Sequence, residues 1–112
     1  MSAEELRAKL EEEILEATWY ALKPHAERGV LILVEQPLAL TDAGLALAYD
    51  DTPTVEKWLG EGLLYKPSPE HIDNWNNSTN KWFSMSIVQP FVLAQELTKE
   101  QTDALLDNQS NS

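Results

Sequence analysis

A chain of 112 residues has room for one domain around one core and not for a two-domain enzyme. Nineteen acidic against eight basic side chains give a formal charge of -11, and each of the segments 1–28, 29–37, 38–66, 67–97 and 98–112 is net negative, so the field of the chain repels nucleic-acid phosphates and anionic membranes. The absence of cysteine excludes disulfides, thiol catalysis and thiolate metal sites, and the apolar runs at 30–34 and 87–94 are far shorter than the roughly 20 residues that span a bilayer.

Residues 3–22 place Leu6, Leu10, Ile14, Ala17 and Ala21 on one helical stripe, with Glu4, Glu5, Glu11–Glu13 and Glu16 on the other face. The spacing predicts one helix, interrupted at Pro24 and ended by Gly29. The charged opening carries no apolar leader, which fits a cytoplasmic protein. Residues 30–34 are apolar throughout and rich in branched side chains, as expected of a strand buried on both faces.

Helical spacing returns at Leu40, Ala43, Leu47 and Ala48, with Thr41 or Asp42 placed to cap the first turn. Thr52-Pro53 then starts a second helix, 53–60, that turns Val55, Trp58 and Leu59 inward and stops at Gly60-Glu61-Gly62. A short strand at 63–66 is closed by Pro67, and Ser68-Pro69 repeats the signal of a capping residue followed by proline. The expected small helix runs to Trp75, ahead of a polar loop at 76–80. From 82 to 89 the chain alternates, with Phe83, Met85 and Ile87 on the buried face and Trp82, Ser84, Ser86 and Val88 opposite. Pro90 limits or bulges that strand, and 91–94 resumes it. Thr98 and Gln101 have capping-box spacing.

The predicted class is α+β, winged-helix-like, in the order helix, strand, helix, helix, strand, short helix, strand. A single domain covers 1–97, a weak terminal helix 98–106, and a disordered polar tail 107–112.

Residues 40–67, from Leu40-Thr-Asp-Ala43 through Asp50-Asp-Thr-Pro-Thr-Val55 and Trp58 to Gly62-Leu-Leu-Tyr-Lys-Pro67, resemble the first half of the helix-turn-helix unit of mercury-resistance-type regulators. Over residues 4–96 the chain resembles a bacterial domain-of-unknown-function family, number 2288. The features that carry this are the Leu-rich opening helix with Trp19, Gly29-Val-Leu-Ile, Asp50-Asp51, Val55 with Trp58, and Pro90-Phe-Val-Leu-Ala-Gln-Glu96. Phe91 stands where that family is expected to carry Trp. The resemblance implies a cytoplasmic bacterial protein and transfers no active site.

The exposed face of a recognition helix would be Thr54, Glu56, Lys57 and Glu61, in which two carboxylates repel phosphate, so nucleic acid is disfavoured as a partner. Asp50 and Asp51 are better suited to turn-making and capping than to catalysis or metal binding. His25 and His71 lack two-ligand helical spacing and are expected at the surface. Serines 68, 78, 84 and 86 lack a nucleophile elbow, and the strand serines are expected to face solvent. Tryptophan is in excess, and Trp75 and Trp82, bracketing the polar loop, are the candidate partner surface.

The sequence therefore reads as a small acidic cytoplasmic protein-interaction or regulatory domain, without catalysis or cofactor, contacting another protein or forming a homodimer. Its rivals are a DNA-binding transcriptional regulator or DNA-mimicking decoy, and a small metal-dependent enzyme built on Asp50, Asp51 and a histidine.

Overall fold

The computed structural model describes residues 2–78 and 81–110. Helix α1 (Ala3–Glu12) opens where the Ser2 hydroxyl accepts the Glu5 amide, with Glu4 and Glu5 favourably placed in its first turn. It does not continue to residue 22. After Glu13 the chain becomes strand β1 (Leu15–Thr18) and then helix α2 (Trp19–Glu27). The reason is tertiary: Leu15, Ala17 and Trp19 also fit a two-residue period, and β1 pairs antiparallel with a later strand that sets Ala17 opposite Phe83. Because α2 begins at Trp19, Pro24 lies inside it. The amide that proline lacks would have bonded the carbonyl of Tyr20, an exposed residue whose oxygen water can satisfy.

Gly29, at φ +76°, turns the chain out of α2 into strand β2 (Leu31–Val34). Helices α3 (Leu40–Ala48) and α4 (Thr52–Gly60) follow, separated by a turn in which Asp50 takes a left-handed φ of 55°. The N-cap of α3 is Ala39, two residues before Thr41 and three before Asp42, the caps expected from sequence. Strand β3 (Leu64–Tyr65) leads to α5 (Pro69–Asn76), then to β4 (Trp82–Val88), β5 (Phe91–Glu96) and α6 (Lys99–Ser110). Residues 88–91 form the hairpin between β4 and β5, with a cis Gln89–Pro90 bond.

The α+β class is as expected, with more sheet than expected. The winged-helix order calls for three strands around a helix pair. Here five strands among the described residues form one sheet in the order β1-β4-β5-β2-β3, antiparallel except for the parallel β2–β5 pair. One face packs on α2 and α5 through Ala17, Trp19, Leu22, Leu31, Leu33, Trp75, Phe83, Val92 and Ala94. The other packs on α3 and α4 through Val34, Leu40, Ala43, Leu64 and Leu93, with Trp58 and Val55 partly buried beside them.

Strand β2 is buried on both faces, as its apolar run indicates. Ser86 is not at the surface: it is 3% exposed, because α3 covers that side of β4. Small residues make this close approach feasible. A Cβ added to Gly44 would lie 3.3 Å from Leu10 Cδ1 and 3.5 Å from Val88 Cγ2. The terminal helix extends to Ser110, past the expected limit of 106 and into the segment expected to be disordered; residues 79, 80, 111 and 112 lie outside the described residues.

Candidate functional site

The residues singled out in sequence meet in local pairs, Asp51 with Thr54 and His71 with Trp75, and do not converge on one site. Asp51 caps α4, its carboxylate accepting the Thr54 amide at 3.4 Å and the Thr54 hydroxyl at 2.7 Å. His71 completes a capping box on α5: its Nδ1 accepts the Ser68 amide at 3.1 Å while the Ser68 hydroxyl accepts the His71 amide at 3.2 Å. The ring also stacks on Trp75 with centroids 5.4 Å apart, so His71 is half-buried and structural, not a free surface imidazole. His25 lies one helical turn from Arg28, which contacts its Nδ1. Among the described residues, no group of three or more His, Asp or Glu converges as a metal site would require.

Trp75 does not belong to a partner surface. It is 4% exposed, in contact with Trp19 at 4.9 Å and edge-on to Phe83 at 5.1 Å, because one face of α5 closes over the sheet. Trp82 is half-buried, opposite Thr18. On α4 and at its C-cap, Glu56, Lys57 and Glu61 are exposed, and Thr54, bonded to Asp51, is half-buried.

Two features that the sequence reading missed remain. The first is a cleft of about 260 Å³ beyond the carboxyl ends of the parallel strands β2 and β5, the usual place for a crevice in such sheets. The strand registers put Glu35, Tyr65, Lys81 and Glu96 on the same side of the sheet as Phe83 and Leu33. The Tyr65 hydroxyl donates to Glu35 Oε2 at 2.8 Å, and Lys81 pairs with Glu96. Burial, the hydrogen bond to Glu35 and the charges of Glu35 and Glu96 together hold the Tyr65 phenol well above the usual tyrosine range. At neutral pH that phenol keeps its proton and donates the hydrogen bond to Glu35. Glu35 and Tyr65 are separated by 30 residues and only strand pairing joins them, so no local motif announces the cleft.

The second feature lies at the open edge of the sheet. Strand β1 is an edge strand with β4 as its neighbour. Leu15 stands opposite Met85, Ile87 follows two residues on, and Glu13 lies beside them around an apolar hollow of about 330 Å³. Leu15 is 59% exposed and Ile87 50% exposed. These side chains share the face that α2 and α5 cover elsewhere, but β1 ends at Leu15 and leaves Ile87 beyond its reach. The signal was visible as the alternation of Phe83, Met85 and Ile87. It pointed to a buried face because the sequence does not disclose where the helical cover stops.

The family model described as "Protein of unknown function (DUF2288)" matches residues 5–96. The NMR solution structure of PA1075 from Pseudomonas aeruginosa is similar at 32% identity and a TM-score of 0.72, covering 85% of this chain and 87% of that one. No curated protein matches. Extending over both helical layers and all five strands, the family match shows that the chain belongs to the DUF2288 family.

Proposed function

We propose that this chain is a small acidic protein-interaction domain of the cytoplasm, and that its docking surface is the β1 edge. The observation that carries this reading is the apolar group formed by Leu15 on the edge strand β1 with Met85 and Ile87 on the neighbouring β4, of which Leu15 and Ile87 are exposed. Isolated exposed leucines are ordinary on protein surfaces, but a contiguous group beside open backbone is the kind of place another chain covers. Trp82, paired with Thr18 on the opposite face of the same strand pair, flanks this edge and keeps its place in the proposed surface. The face formed by Glu56, Lys57 and Glu61 gives no comparable support to nucleic-acid binding, since its carboxylates outnumber its one ammonium.

The test is a photo-reactive phenylalanine analogue placed at position 15 and, separately, at position 56, irradiated in the native cell. A discrete protein adduct from position 15 and none from position 56 supports the reading. Adducts from 56 alone, or from neither position, overturn it.

A further inference from the structure

We infer that the β1 edge accepts a basic, extended segment of a partner protein as an added strand, its apolar side chains covering Leu15 and Ile87 and its basic ones meeting the glutamates of this edge. This rests on the docking reading above and adds to it the chemistry and register of the partner.

The register follows from the ladder. The Trp19 amide donates to the Lys81 carbonyl at 3.1 Å, which makes 19 and 81 a hydrogen-bonded pair. In an antiparallel ladder such pairs alternate, so Leu15 and Ala17 also direct their backbone groups toward β4. The backbone groups of Glu16 and Thr18 therefore point to the open side, and an incoming strand finds their N–H and C=O groups in line. Four residues of β1 offer about 13 Å of such edge. Side chains of an added strand alternate between the two faces as those of β1 do. Every second one falls beside Leu15 on the apolar face, and the intervening ones fall beside Glu16.

Charge selects the partner. Glu11, Glu12, Glu13 and Glu16 precede or lie within β1, and all four are exposed. The ion pairs found among the described residues, Arg7–Asp42 and Lys81–Glu96, involve none of them. A second copy of this chain would bring its own glutamates and a further charge of -11 to the same place, and a charge on an edge strand works against pairing with itself. A segment alternating Lys or Arg with Val or Ile satisfies both the apolar face and the carboxylates.

The experiment uses the full chain, isotope-labelled for NMR, and the capped hexapeptide Lys-Val-Arg-Val-Lys-Val as probe. Saturable amide shifts at Glu16 and Thr18, with methyl shifts at Leu15, Met85 and Ile87, are the expected result. Affinity should fall about tenfold in Glu16→Lys and about tenfold between roughly 0.05 and 0.5 M salt. Methylating the peptide nitrogens that face β1 should abolish binding, since it removes ladder donors and leaves the side chains in place.

Equal binding by the N-methylated peptide overturns strand addition while the docking reading stands. Equal binding by a Glu-Val-Glu-Val-Glu-Val peptide overturns the charge selection. Self-association of the chain, seen by sedimentation and abolished by Leu15→Lys, replaces the basic partner with a second copy. No response at β1 overturns the inference, and the cross-link from position 15 then decides the docking reading separately.

Discussion

The indole of Trp19 donates to Asn76 Oδ1 at 2.8 Å, and its ring lies 4.9 Å from that of Trp75, so the first residue of α2 is held by the last two of α5. Trp19 is 1% exposed. Its polar edge thus finds a partner where water is scarce, while its apolar body fills the core beneath the sheet. Asn76→Ala should destabilise by about 1–3 kcal/mol, read as a lowered urea midpoint with unchanged slope, because it leaves that indole N–H without its acceptor.

Trp75→Ala should cost more, about 3–5 kcal/mol, since it empties the space shared by Trp19, His71 and Phe83. Urea unfolding followed by far-ultraviolet circular dichroism measures it. A loss below about 0.5 kcal/mol, the level of an ordinary surface change, would contradict the buried position of this tryptophan.

Gly44 is the close-packing point between α1, α3 and the sheet. Gly44→Val adds two methyl groups beyond a Cβ that already meets Leu10 at 3.3 Å and Val88 at 3.5 Å, and should cost about 1–3 kcal/mol through overpacking. Thermal unfolding reads this as a lower midpoint.

The Tyr65–Glu35 pair gives the protein an alkaline limit. The folded chain keeps the Tyr65 proton at pH values where the unfolded chain, with a tyrosine pKa of about 10, has lost it. The associated stability is intact below about pH 10 and is lost as pH rises through the raised folded value. Wild type should therefore lose stability between about pH 10 and 12 more steeply than Tyr65→Phe, with Glu35→Gln intermediate, in urea midpoints taken across that range.

Leu15→Lys and Ile87→Lys should each change stability by less than about 0.5 kcal/mol, because both side chains are at least half exposed. Measured midpoints that match wild type would let any loss of cross-linking or peptide binding be assigned to the docking surface and not to unfolding.

Three helix starts settled within one helical turn were legible in the sequence. Thr52-Pro53 and Ser68-Pro69 mark the starts of α4 and α5, and Thr98 with Gln101 closes a reciprocal box at α6, the Thr98 amide donating to Gln101 Oε1 at 2.8 Å and the Gln101 amide to Thr98 Oγ1 at 3.1 Å. Each of these caps needs only its own turn, whereas at α3 the helix starts from Ala39 and passes over the caps offered at Thr41 and Asp42. The doubly buried β2 was equally plain, because a run apolar at every position can be satisfied only by cover on both faces.

What tertiary structure decided lies where one stretch fits two periods or where cover ends. Residues 15–18 suit a helix by spacing and a strand by alternation, and it is the β4 edge, with Phe83 opposite Ala17, that selects the strand. The burial of Trp75 and Ser86, the meeting of Glu35 with Tyr65, and the exposure of Leu15 and Ile87 likewise depend on which helix reaches which part of the sheet. Those are contacts between residues far apart in the chain. Their free energy exists only after the layers assemble, and for that reason no local pattern records them.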